Sequence, residues 1–441
     1  MPEQLDPQRR SWIEAAWTKI DDRRITELVA GMVDIPSPTG EEGPLARWLA
    51  DRLTETGLDG RYQPIDDDQG NAVGRLRGDG TGPDLLLYAP IDTLTVGTEE
   101  EDVPQVGPAL RDDMRPSAVV DGDFVIGLGA SNPKGHGAAL IAAAEAVAAA
   151  GVPLRGDVLL GLGAGGMPTN RRTVPHARRY NAGQGNGCSF MLEQGVWADY
   201  AVIAKPGWTA AWEEVGLCWF EVEVRGTYSY VGSRHRMPYR NPIVDAGTVI
   251  AGLEEWFPEY SARHTGGLVA PQGNIGGIEG GWRRTASLSP ATCRFNVDLR
   301  ISPRITPMQA KREFGEAIDR IRAAHPGIDV TWEMTLAIPG THTPESNWIV
   351  SATKAAWEEL EGRPHEPILN NSGATDANIL RQRGIPTART GMDRIGADAP
   401  MTLDFPAGMN VVDVREARKL VRALIHTIVN TCTRTREEVT S

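Results

Sequence analysis

Between residues 84 and 165 two apolar runs, DLLLYAPID and GDVLLGLGAG, flank an alanine-rich stretch, GHGAALIAAAEAVAAAG. A run of strand length without polar alternation has no face to offer water, so each reads as a strand buried on both sides. The middle stretch, rich in the best helix former and closed by Gly151, reads as a helix. Strand, helix and strand in that order build a largely parallel sheet with helices on both faces. Functional groups on such sheets gather at the carboxyl ends of the strands, which places the end of DLLLYAPID at a candidate site.

On either side the chain is helical from Pro7 to about Leu58, interrupted at IPSPTG, and again near Trp348 to Leu360 and Val412 to Val429. From Trp208 the texture changes, and CWFEVEVRGTYSY alternates apolar and polar residues as a half-exposed strand does. Two helical segments, PIVDAGTVIAGLEEWF and TPMQAKREFGEAIDRIRAAH, and the strands TCRFNVDLRISP and DVTWEMTL complete a small α+β sandwich. The predicted fold is an α/β domain with a mostly parallel sheet, residues 1–208 and 336–441, interrupted by an inserted α+β domain, residues 209–335. A chain of 441 residues is long enough for two domains.

The formal net charge of -13 leaves no basic surplus for nucleic acid or an anionic membrane, so a small-molecule partner is expected. No stretch approaches the roughly 18 apolar residues of a membrane span. Cys188, Cys218, Cys293 and Cys432 lie far apart, suggest neither a disulfide framework nor a structural zinc site, and suit a reducing compartment. The expected location is the cytoplasm.

The ordered motifs IPSPTGEEGPLARWL, YAPIDTL, GLGASNPKGHGAAL, ADYAVIAKPG, GLCWFEVEVRGTYSY, RNPIVDA, FNVDLR and SGATDANIL span nearly the whole chain. Their order resembles that of the dizinc family of aminoacylases, succinyl-diaminopimelate desuccinylase, acetylornithine deacetylase and carboxypeptidase G. The resemblance implies a catalytic-type domain with an inserted lid of the dimerisation type, and hence a homodimer. It also implies two zinc ions held by His and carboxylate ligands, with a glutamate activating the bridging water.

Several of those positions carry other residues here. The family's His-x-Asp matches Pro90-Ile91-Asp92, and proline is no ligand. The bridging Asp matches Asn132, a neutral amide in what must be a strongly anionic cage. The paired glutamates should fall in GLGAGGMPTN, yet no Asp or Glu lies between Asp157 and Glu193. Lys205-Pro206 puts a cation where a carboxylate held zinc, and near the C-terminus Pro400 or a neighbour stands for the last histidine. Asp92 alone cannot supply a dizinc donor set, so the expectation is no metal cofactor, the dizinc site being lost.

By the same resemblance Tyr230 replaces the lid histidine that stabilises an oxyanion, while Asn241 and Arg300 match binders of a substrate carboxylate. Arginine offers a planar fork for that group. Arg300 reads equally as a strand residue paired with Asp298, and Lys205 as a salt-bridging filler. His136 and His176 are the histidines nearest the site segments, each open to a structural or a chemical reading. Glu213 and Glu214 offer carboxylates just past the hinge, and Lys134-Gly135 lacks the spacing of a phosphate loop.

The chain is accordingly expected to be a metal-independent enzyme acting on a small substrate that carries a carboxylate and an amide, by hydrolysis or by proton transfer, isomerisation or elimination. Asp92 serves there as acid or base, Lys205, Asn132 and Tyr230 as polar groups around the developing charge, and Arg300 with Asn241 as the substrate clamp. A non-catalytic ligand-binding or regulatory protein, and an amide hydrolase with a rebuilt metal site, are the competing readings.

Overall fold

A computed structural model describes residues 5–169, 183–393, 395–396, 398–402 and 404–440. The chain forms two compact units: residues 1–212, 343–367 and 375–441 in the first, and residues 213–342 and 368–374 in the second.

In the first unit a six-stranded sheet is built from β1 (Arg61–Pro64), β2 (Gly70–Leu76), β3 (Leu85–Pro90), β4 (Val158–Gly163), β5 (Tyr200–Ala204) and β6 (Thr387–Thr390), in the order β1-β2-β4-β3-β5-β6. β3 to β6 run parallel, and β2 lies antiparallel to both β1 and β4. The alternation of side chains explains the unbroken apolar run of β3. Leu85, Leu87 and Ala89 enter one core, while Leu86 and Tyr88 enter a second core on the opposite face. Helices α1 (Gly43–Glu55), α2 (His136–Ala149) and α3 (Val414–Cys432) contribute to the first of these cores. Residues of Asn186–Glu193 and Ala377–Gln382 pack into the second. The sheet is thus mostly parallel and covered on both faces.

The second unit is an antiparallel sheet in the order Gly273–Gly280, Thr292–Ile301, Gly216–Arg225, Asp329–Ile338. Buried Cys218, Phe220, Val222 and Val224 alternate with more exposed neighbours, and they share one core with the helices Pro242–His264 and Pro307–Ala324. Phe220 stacks on Phe314 with ring centroids 4.0 Å apart. The seam lies slightly later than the boundaries 209 and 335 read from pattern. Glu213–Glu214 pairs with Thr341–His342 inside the second unit, and the short piece 368–374 joins it as well.

Candidate functional site

Three of the expected residues stand at the carboxyl end of the parallel sheet in the first unit. Asp92 follows β3 and is wholly buried. Its Oδ1 accepts the Gly166 amide at 2.8 Å, and its Oδ2 accepts the Met167 amide at 2.9 Å and the Thr39 hydroxyl at 2.8 Å. Burial raises its pKa, against which the Met167 amide, the Thr39 hydroxyl and the nearby Lys205 ammonium pull down.

Lys205 directly follows β5, and its amide is fixed by the Thr390 carbonyl at 3.0 Å. Its Nζ donates to Asn132 Oδ1 at 3.3 Å, and only 8% of the residue is exposed. Asn132 sits in the turn Ala130–Gly135 ahead of α2, with non-helical backbone at φ -123° and ψ 111°, and its Nδ2 lies 3.5 Å from Met409 Sδ. His136 opens α2. Its Nδ1 lies 2.8 Å from the Ser131 carbonyl, and its Nε2 accepts the Met392 amide at 3.3 Å, which assigns the proton to Nδ1. Burial lowers its pKa to about 3, so it is a neutral structural residue. Lys134 is buried and donates to the Ile35 carbonyl at 3.1 Å. His176 lies outside the described residues.

The turn after β4 meets these groups with backbone alone. Gly165 has φ +62°, and a side chain there would run into Asn186. A Cβ on Gly166 would run into Pro90. A carboxylate cannot grow from this turn without moving its neighbours, and among the described residues no three His, Cys, Asp or Glu side chains converge as metal donors. Among the described residues the side chains do not match a dizinc donor set.

Sequence reasoning missed Glu42, which is fully buried behind the same turn. Its Oε1 accepts the Gly165 amide at 2.8 Å and the Gly40 amide at 3.0 Å. Burial, and then the charge of Asp92, lift its pKa to about 8. An acidic residue at a helix start is ordinary, so GEEG read only as the beginning of α1. Tyr88 was also missed; its buried hydroxyl donates to Asp376 Oδ2 at 2.6 Å.

The remaining expected residues belong to the second unit. Tyr230 is 56% exposed on a two-residue strand paired with Leu288–Ser289. Asn241 caps the helix Pro242–His264, its Oδ1 accepting the Ile243 amide at 3.0 Å. Arg300 pairs with Asp298 at 2.9 Å, the structural alternative that the sequence left open. Glu213 is taken by Arg304 and by the Leu268 amide, the latter at 2.8 Å.

No family model matches the chain. It is 24% identical over 372 residues to the succinyl-diaminopimelate desuccinylase of Alkalilimnicola ehrlichii, covering 83% of this chain and 90% of the other. The metallo-carboxypeptidase Sso-CP2 of Sulfolobus solfataricus, of the M20 family, superposes with a TM-score of 0.64 at 14% identity, covering 96% of this chain and 99% of the other. The dipeptidase Dug1p of Saccharomyces cerevisiae superposes with a TM-score of 0.71 at 12% identity, covering 95% and 98%.

Proposed function

We propose that this chain, whose fold is that of the M20 peptidases and aminoacylases, is an enzyme that works without the two zinc ions, on a small molecule bearing a carboxylate and an amide. The hydrogen bond from Lys205 to Asn132 at the carboxyl end of the sheet carries this reading. It sets a fixed ammonium where the family resemblance puts a zinc ligand. Pro90, Gly165 and Gly166 support the same reading, because the turn has room for glycine only.

Lys205 then supplies positive charge to an oxygen on which negative charge develops, and Asn132 fixes where that ammonium points. Asp92, sealed and already accepting three hydrogen bonds, acts by holding the Gly165–Met167 turn and not as the group that meets substrate. Within the second unit, taken by itself, Arg300 is paired with Asp298, Asn241 caps its helix and Tyr230 presents an exposed phenol. Without metal-made hydroxide, proton transfer, isomerisation or elimination is easier to support than attack by water, although the scaffold's relatives cleave C–N bonds. The chain is further proposed to act in the cytoplasm as a homodimer through the second unit, whose Ile243, Val244, Ile278 and Trp282 are exposed.

The test is turnover of a panel of N-acyl amino acids and dipeptides, followed by mass spectrometry, with the protein held in chelator. Turnover in chelator that falls about 10²-fold or more in Lys205→Met supports the proposal. Turnover seen only with added zinc overturns it. The full burial of Asp92 favours one second reading, a non-catalytic ligand-binding protein, and binding by calorimetry without turnover would select it.

A further inference from the structure

Glu42 and Asp92 are the two carboxyl groups that receive consecutive amides of one turn: Gly165 donates to Glu42, and Gly166 and Met167 donate to Asp92. The two carboxyls do not divide their partners alike. Both oxygens of Asp92 accept hydrogen bonds, three in all. In Glu42 the Oε1 collects all of the donors, Gly40 and Gly165 amides and the Gln69 Nε2 at 3.4 Å, while buried Oε2 has no partner among the described residues.

That asymmetry distinguishes protonation states. A buried carboxylate oxygen with no donor carries charge unsatisfied, which is costly. A neutral acid needs donors only at its carbonyl oxygen and keeps its proton on the other. Two ionised carboxylates side by side in a site closed to water would also repel, and one proton between them removes the repulsion. Asp92, with three donors and the Lys205 ammonium nearby, is the better anion of the two.

We propose that Glu42 is a neutral, proton-holding positioning residue, which with ionised Asp92 forms an acid pair that pins the Gly165–Gly166–Met167 turn under the candidate site. The other titratable and charged groups facing the pair are Lys205 and Tyr88 toward Asp92, and Asp376 behind the turn, holding Tyr88. On the Glu42 side stands Tyr62, with Arg47 stacked on its ring. The start of α1 and the Gly40 and Gly165 amides pull Glu42 toward ionisation, yet burial and Asp92 outweigh them, and its pKa lies at about 8. The inference does not depend on what Lys205 does to a substrate.

A carboxyl whose folded pKa is raised contributes stability that is complete below its unfolded value, roughly 4.3, and is lost as pH rises through about 8. Glu42→Gln keeps the shape, stays neutral and cannot titrate. The experiment compares melting temperatures of the wild-type chain and Glu42→Gln at pH 6 and pH 9 (values chosen about the titration range), alongside a carbon-13 NMR titration of glutamate-labelled wild-type protein. The expected result is a smaller fall in melting temperature from pH 6 to pH 9 in Glu42→Gln than in the wild type, and one glutamate carboxyl resonance titrating near 8. Equal falls in both proteins, or every glutamate resonance titrating in the ordinary carboxylate range, would overturn the proposal. The resonance alone decides if the variant does not fold.

Discussion

A methyl group placed on Gly166 would collide with Cβ of Pro90, so these two residues, far apart in sequence, have to be small and flat together. Pro90 ends β3, and Gly166 donates its amide to Asp92 two residues beyond that end. Gly166→Ala should therefore destabilise the chain by about 1–3 kcal/mol through overpacking, although alanine is a gentle substitution elsewhere. Because the clash is with Cβ, Pro90→Ala should not relieve it, whereas Pro90→Gly should. Pro90→Gly and Gly166→Ala combined should cost less than the sum of the singles when unfolding is followed in urea. Strict additivity would mean that the turn and the strand end relax independently. Pro90 and Gly166 were legible as absences of ligands, since sequence shows which side chains are missing. Their packing against each other was not, because a backbone amide aimed at a carboxylate leaves no letter of its own. Glu42 stayed hidden for a related reason: its chemistry comes from burial behind the turn, and nothing in GEEG records that.

Among the elements, β3 was readable because its constraint is written at every position. Leu86 and Leu87 are both fully buried, but in different cores on opposite faces of the sheet. Leu86→Ala and Leu87→Ala should each cost about 2–5 kcal/mol, measured by chemical denaturation. In the strand Gly216–Arg225 the same test on neighbours should split. Val222→Ala should be costly, and Glu221→Ala nearly neutral, because only every second residue there enters the core. Similar costs for Val222→Ala and Glu221→Ala would contradict the one-faced sheet. The helices around Trp348 and after Val412 were legible from periodicity for the same reason. The seam between the units was read four residues early at its start and seven early at its end, 208 against 212 and 335 against 342. The second unit begins and ends on the two-residue pairing of Glu213–Glu214 with Thr341–His342, which is too short to show any period, and the piece 368–374 has no regular structure to announce it.

For the molecule as a whole, the fold and the donor set answer to different residues. Tyr88 apart, the two faces of the first unit's sheet are filled mainly by aliphatic side chains that take no part in the candidate site, so the scaffold stands whether or not its strand ends carry metal ligands. What a bound metal adds to such a scaffold is stability by mass action, RT ln(1 + [L]/Kd), about 4 kcal/mol at a thousandfold excess over Kd. On the metal-free reading proposed above, a site closed by Pro90, Gly165 and Gly166 and held by the Lys205 ammonium would have no comparable affinity to contribute. The dialysed protein should accordingly contain well under one equivalent of zinc, manganese, iron or cobalt per chain by plasma mass spectrometry. Its melting temperature should be the same with excess chelator as with excess zinc. Retention of two equivalents, together with a fall of several degrees on chelation, would return the chain to metal-dependent amide hydrolysis.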